Sequence, residues 1–408
     1  MKPAEGCYLF GVYKACIGIK DAVILFHSIT GCHMGTLIYH MNNDLEDVRQ
    51  ACSVIYEQDI VYGGTKQLSL ALQNLEQLYS QAKLVIIISG CIPNMIGDDV
   101  TAEIKKTGIK VPVVHIAAAG TDGSERDGYE DALMTLAQFI EPDVAIKKGL
   151  VNIIGLSADD PRIEADIAEL KNIIGPELSV QTVCGLCTFD EFRNMSRAEL
   201  NIVFGSGSSL AKMLEKEFGI PYIAAEYPYG MVGLKSLQQK ITSKLPKIDY
   251  SVHYSASAEI LKPQLKKITH FLNCLYSIPV AVIGDGVRTA GLKRFLADEL
   301  GMNVVFHCDS EMKDLNLQYD AVRKSNAVIL FGSSFQRGLA EEMKIPLINF
   351  CYPVFDQIVL GNKPFVGQAG ILNILECLIN GCLLQKHKPD DPYSYTSWSY
   401  RQKKGERT

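Results

Sequence analysis

Leu84-Val-Ile-Ile-Ile-Ser-Gly-Cys91 decides the fold. Five apolar residues in succession leave no polar face, so a strand made of them must be covered on both sides. Eight other runs read the same way: Ala22–His27, Val111–Ile116, Val151–Leu156, Asn201–Phe204, Val280–Ile283, Val304–His307, Ala327–Phe331 and Pro346–Phe350. Between them lie segments with helical periodicity, among them Ile163–Ile174, Ser209–Phe218, Leu292–Leu300 and Phe335–Met343. Strands apolar on both faces that alternate with amphipathic helices define an α/β class with doubly wound parallel sheets.

The strands fall into three groups. The first ends near Ala119 and is followed by the polar, Gly-rich run Gly120-Thr-Asp-Gly-Ser-Glu-Arg-Asp-Gly128. A long helical stretch, Ala256 to Leu275, separates the second group from the third. This predicts three Rossmann-like domains, over 1–145, 146–255 and 256–385, with a polar, basic tail over 386–408. A helix over Gly367–Leu384 closes the third.

Composition narrows the function. The chain has 408 residues, 47% of them hydrophobic, and a formal net charge of -6. That balance offers no broad footprint for nucleic acid. No run of about 18 uninterrupted apolar residues occurs, so no membrane span is expected. The N-terminus lacks a signal-type apolar region, so a cytoplasmic location is expected, with the 12 cysteines reduced.

Three of those cysteines stand beside glycine at strand boundaries. Cys91 follows the opening strand. Cys32 ends Phe26-His-Ser-Ile-Thr-Gly-Cys32, just past another strand. Cys7 lies in Glu5-Gly-Cys-Tyr-Leu-Phe-Gly11. Open parallel sheets bind ligands beyond the C-terminal ends of their strands. Thiolates there suit iron–sulfur clusters or zinc. Zinc favours paired, closely spaced ligands, whereas these residues are dispersed, which favours a larger cluster in a cleft. A cubane takes four thiolates. Cys16, a group other than cysteine, or a second chain completes the set, and a cluster shared between chains makes association part of the site.

Other signals carry less. Cys184-Gly-Leu-Cys187 is a C-x-x-C pair with no second pair or nearby histidine, read as structural. Gly284-Asp-Gly286 reads as a tight strand–helix turn, and Gly205-Ser-Gly-Ser-Ser209 as a capped helix start that also suits an anion. His27 and His33 flank Cys32. Glu57 and Asp59 fall in an apolar run near Gly63-Gly64, where a structural role is favoured.

These residues resemble the nitrogenase component 1 family. The matching stretches are Lys20-Asp-Ala22 with His27-Ser-Ile-Thr-Gly-Cys32, then Glu57-Gln-Asp-Ile-Val-Tyr-Gly-Gly64, then Ser89-Gly-Cys91 with Ile96-Gly-Asp-Asp99. The resemblance implies three Rossmann-like domains. It also implies that Cys7, Cys32 and Cys91 hold a 4Fe-4S or 8Fe-7S cluster at a subunit interface. The partners it implies are a sister alpha-type subunit or a second identical chain, and an ATP-dependent iron-protein homodimer as electron donor. The family's nitrogen-reducing subunits hold a second cofactor through one more Cys and one His. This chain has neither near Asn201–Gly205 or Pro364–Ala369, and Pro353-Val-Phe-Asp-Gln357 resembles a beta-type subunit. The expected function is therefore an iron–sulfur electron-transfer subunit of a nitrogenase-like reductase. The alternatives are a scaffold for metallocofactor assembly and, more distantly, an α/β ligand-binding protein.

Overall fold

The structure is a computed structural model that describes residues 6–40, 49–142, 144–160, 162–183, 185–308 and 314–386. Three four-stranded parallel sheets organise it. The first holds β1 (Ala22–His27), β2 (Gln50–Cys52), β3 (Leu84–Ser89) and β4 (Val113–Ala117). The helices around it are α1 (Tyr8–Ile17), α2 (Thr30–His40), α3 (Glu57–Tyr62), α4 (Thr65–Leu78), α5 (Cys91–Ile96), α6 (Val100–Thr107) and α7 (Glu125–Leu136). The second holds β5 (Leu150–Ile154), β6 (Ser179–Thr182), β7 (Leu200–Val203) and β8 (Tyr222–Ala224), with α8 (Ile163–Ile174), α9 (Phe189–Arg193), α10 (Ser208–Phe218) and α11 (Gly230–Lys244). Two helices, α12 (Ser251–Lys267) and α13 (Thr269–Leu275), lead to the third. That sheet holds β9 (Pro279–Ile283), β10 (Asn303–Cys308), β11 (Ile329–Gly332) and β12 (Leu347–Asn349), with α14 (Gly286–Arg294), α15 (Leu315–Lys324), α16 (Arg337–Met343) and the closing α17 (Gly367–Lys386).

The strand orders are β2-β1-β3-β4, β6-β5-β7-β8 and β10-β9-β11-β12, one topology used three times. In that order the chain leaves the first strand of each sheet toward one side and the third toward the other. A crevice therefore opens between the ends of β1 and β3, of β5 and β7, and of β9 and β11. All six residues of β1 and all six of β3 are buried, which is why these central strands read as unbroken apolar runs. Unit boundaries near 145 and 255 fall between the sheets, and we propose them as the domain limits.

The units are docked together. The backbone N–H of Cys187 donates to Gly18 O at 2.9 Å, and Lys20 N–H donates to Cys187 O at 2.8 Å. Cys187 is buried at this seam; its sequence partner Cys184, and the basic tail beyond 386, lie outside the described residues. Within the described residues no helix is long and apolar enough to cross a membrane.

Candidate functional site

The three cysteines open three helices. Cys7 is the N-cap of α1, Cys32 lies in the first turn of α2, and Cys91 is the first residue of α5. The α2 and α5 pair follows β1 and β3, the two strands that flank the crevice of the first sheet.

Gly120, just past β4, joins two of the sulfurs. Its N–H donates to Cys91 Sγ at 3.1 Å. A Cβ on Gly120 would lie 3.3 Å from Cys7 Sγ and 3.5 Å from Cys91 Sγ, so glycine lets both sulfurs approach one point. Cys32 lies within electrostatic reach of both. Burial first, then the sulfurs of Cys91, Cys7 and Cys52, push the Cys32 thiol up to about 11. Crowded sulfurs of this kind are relieved by a cationic iron core, so the donor set fits a cluster. Among the described residues no three His, Cys, Asp or Glu side chains sit closely enough for one metal ion.

Two contributors were missed in the sequence. Gly120 is one. Cys52 is the other, placed beside the site because β2 pairs with β1, Cys52 opposite Phe26. Its thiol donates to Ser28 O at 3.6 Å. The alternative fourth thiol, Cys16, is fully buried in the core, and burial drives its pKa far up.

Beneath the cysteines lies a polar relay of fixed geometry. His27 Nε2 meets Asp98 Oδ2 at 3.0 Å, and Nδ1 meets Ser53 Oγ at 2.7 Å. A carboxylate only accepts, so Nε2 carries the proton and the serine hydroxyl donates to Nδ1. Burial is the larger influence on His27 and holds its pKa below the ordinary value, against Asp98. Asp98 also accepts from Gly64 N–H at 2.9 Å, while the main-chain carbonyl of Asp59 accepts from Gly63 N–H at 2.8 Å, so the two acids together hold the Gly63-Gly64 turn. The Asp59 carboxylate closes the start of α3, accepting from Tyr56 N–H at 2.9 Å. His33 packs against Phe26 in a tilted arrangement, 5.6 Å between ring centroids, and its Nε2 is buried with no hydrogen-bond partner.

Several large apolar side chains are exposed near the cysteines. Ile29, Met34 and Met95 are exposed, as are Ile60, Val61 and Tyr62 on α3, which packs beside α5. The helix start after Gly205 is occupied from within: Glu130 accepts from the N–H groups of Gly207, Ser208 and Ser209 at 2.6, 3.1 and 2.9 Å.

A three-sheet parallel α/β protein with cysteines at the crevice of its first sheet defines the class. The sequence profile described as nitrogenase component 1 type oxidoreductase matches residues 7–383, and the chain belongs to that family. It is 24% identical to the nitrogenase molybdenum-iron protein beta chain of Methanococcus maripaludis, over 98% of this chain and 97% of that one. It is 33% identical to the nitrogenase iron-molybdenum cofactor biosynthesis protein NifE of Clostridium pasteurianum, over 59% of this chain and 54% of that one. Among solved structures it is similar to nitrogenase Cp1 at pH 6.5, with a TM-score of 0.79, 18% identity, and 95% and 94% of the two chains covered.

Proposed function

We propose that this chain is an iron–sulfur electron-transfer subunit of a nitrogenase-like reductase, with Cys7, Cys32 and Cys91 as cluster ligands. The observation that carries this reading is the approach of Cys7 and Cys91 to Gly120 with Cys32 beside them. A 4Fe-4S or 8Fe-7S cluster, when bound, supplies one-electron redox chemistry. The chain's own residues do the rest. The N-terminal turns of α1, α2 and α5 hold the thiolates in place, and the Gly120 N–H withdraws charge from Cys91 Sγ, which favours the reduced state. Burial beneath the site, with His27 locked between Asp98 and Ser53, keeps water out from below.

The exposed apolar side chains near the cysteines suit a second subunit, which would bury them and complete the ligand set. Similarity to both beta and alpha nitrogenase chains supports a sister alpha-type subunit, and a second copy of this chain serves the same geometry. An ATP-dependent iron-protein homodimer is the electron donor in this reading. Similarity to NifE favours a second reading, a scaffold from which a metallocofactor is handed on.

One experiment separates them. The chain, purified anaerobically with its partner, is mixed with iron protein and ATP and followed by electron paramagnetic resonance. A subunit of a reductase shows ATP-dependent reduction of its cluster, with the iron retained. Iron that leaves for an acceptor protein, with no ATP-dependent reduction, supports the scaffold and refutes electron transfer.

A further inference from the structure

Cys52 is a sulfur beside the site that the cluster reading leaves unused. It ends β2, and packing brings it to Cys32. Strands β1 and β2 are parallel, so α2, which joins them, runs back against both. Its first turn lies over the end of β2 and its later turns over the start. One contact fixes the register: Thr36 Oγ1 donates to Gln50 Oε1 at 3.2 Å, and both residues are buried. Cys32 and Thr36 share a face of α2 at i and i+4, about 6 Å apart along the axis. Gln50 and Cys52 share a face of β2 at i and i+2, about 6.6 Å apart. One step up from the Thr36–Gln50 contact, Cys32 therefore faces Cys52.

The side of the sheet agrees. Ala51 packs on one face with Leu25, whereas Cys52 packs on the other with Phe26 and Cys32. Gln50 Nε2 also donates to Tyr13 Oη of α1 at 2.7 Å, so this face looks toward the helix that Cys7 caps. Electrostatics points the same way. After burial, the sulfurs that act on the Cys32 thiol are those of Cys91, Cys7 and Cys52.

The Cys52 sulfur is also easily released. Its thiol donates to Ser28 O at 3.6 Å, a weak bond, and that carbonyl accepts from Ile55 N–H at 3.0 Å as well. Loss of the thiol proton leaves no buried carbonyl unsatisfied. Burial raises the pKa of this thiol, while the Val54 amide and the Ser28 hydroxyl act against it by favouring negative charge on the sulfur.

We propose that Cys52 is the fourth thiolate of a 4Fe-4S cluster held by this chain alone, in place until a second subunit brings its own ligand. The inference rests on the cluster reading above. A cubane takes four thiolates, so Cys7, Cys32, Cys91 and Cys52 form a complete set. The Cys52 thiol gives its proton to water as its sulfur bonds the fourth iron, and no electron moves. Docking of the second subunit reverses the exchange: Cys52 regains a proton and returns to Ser28 O. A chain with such a reserve ligand carries an intact cluster into assembly.

The test uses the full chain, expressed without a partner, reconstituted anaerobically with iron and sulfide, and taken as the single-chain fraction from size exclusion. About four irons per chain are expected. Brief oxidation by ferricyanide then probes the fourth ligand, because an iron without a protein thiolate is lost and leaves a paramagnetic 3Fe-4S centre. The parent should keep its iron and show no such signal by electron paramagnetic resonance. Cys52→Ala should fall to about three irons per chain and show the signal strongly. Cys16→Ala should match the parent. If circular dichroism shows that the Cys52→Ala chain misfolds, Cys52→Ser serves, with partial conversion expected. A parent that itself converts, or Cys52 variants that resist as the parent does while Cys32→Ala is poor in iron, would overturn this inference and leave the cluster reading standing. Full iron in Cys32→Ala would overturn the cluster reading and this inference with it.

Discussion

Replacing Asp98 by alanine removes the acceptor shared by the Gly63-Gly64 turn and His27. The Asp98 side chain is 3% exposed and that of His27 is fully buried, so water cannot substitute freely. Two donors lose their partner: Gly64 N–H, at 2.9 Å, and His27 Nε2–H, at 3.0 Å. Each buried donor left unsatisfied costs about 1–3 kcal/mol, so the turn should lose roughly 2–6 kcal/mol of local stability. A chain of three units has no single well-defined unfolding free energy, so a local probe is the right assay. Hydrogen exchange at the Gly64 amide should quicken by at least about 30-fold, the equivalent of roughly 2 kcal/mol. Asp98→Asn provides the control. Its amide still accepts from Gly64, and its NH2 donates to Nε2 once the His27 proton moves to Nδ1 and is given to Ser53. Exchange in that variant should stay near the parent rate. Unchanged exchange in the alanine variant, or equal loss in both, would refute the account of Asp98 as the organiser of this turn.

Three further outcomes follow from named contacts. Gly120→Ala would place a methyl 3.3 Å from Cys7 Sγ and 3.5 Å from Cys91 Sγ; Cys7 is exposed and can turn away in the iron-free chain, so iron bound per chain should fall while the thermal midpoint of that chain stays nearly constant. Full iron content in this variant would count against the cradle. Asp166, buried and accepting from Phe365 N–H at 2.8 Å, has its pKa raised to about 7, by burial first and then by Asp160. A carboxyl whose folded pKa lies above its unfolded value binds extra protons in the fold, so stability falls as pH rises from about 4 to 7, by up to ~4 kcal/mol. Asp166→Asn keeps the acceptor oxygen and should gain on the parent across that window; parallel thermal midpoints between pH 5 and 8 would refute this. Glu130→Ala frees three amides at the start of α10 and should cost about 1–3 kcal/mol, partly restored by added sulfate; no change in the thermal midpoint would show that the cap is idle.

Much of the fold was legible because its central strands are apolar on both faces. The run Leu84–Ser89 is buried at every position, and α8 spans Ile163–Ile174 as its periodicity predicts. The strands that went unseen, β2, β6 and β8, are all sheet edges of three or four residues. An edge strand such as Gln50–Cys52 or Tyr222–Ala224 is only partly buried and so carries no continuous apolar run. At the site, Gly-Cys at a strand end marked Cys32 and Cys91. Gly120 and Cys52 could not be found that way, because their places are set by β4 and β2 laying down beside the central pair. Glu130 was hidden for a related reason: it caps amides more than 70 residues away, a partnership only packing creates.

The central claim is that the sulfurs of Cys7, Cys32 and Cys91 act together on one iron–sulfur cluster. Its most direct measurement is iron per chain, with visible absorption, in anaerobically purified single alanine variants of these three beside Cys16→Ala and Cys187→Ala, two cysteines buried in the core. The account predicts that each of the first three variants loses iron and visible colour, while the two core variants keep both. Parent-level iron in the Cys32 and Cys91 variants would contradict it.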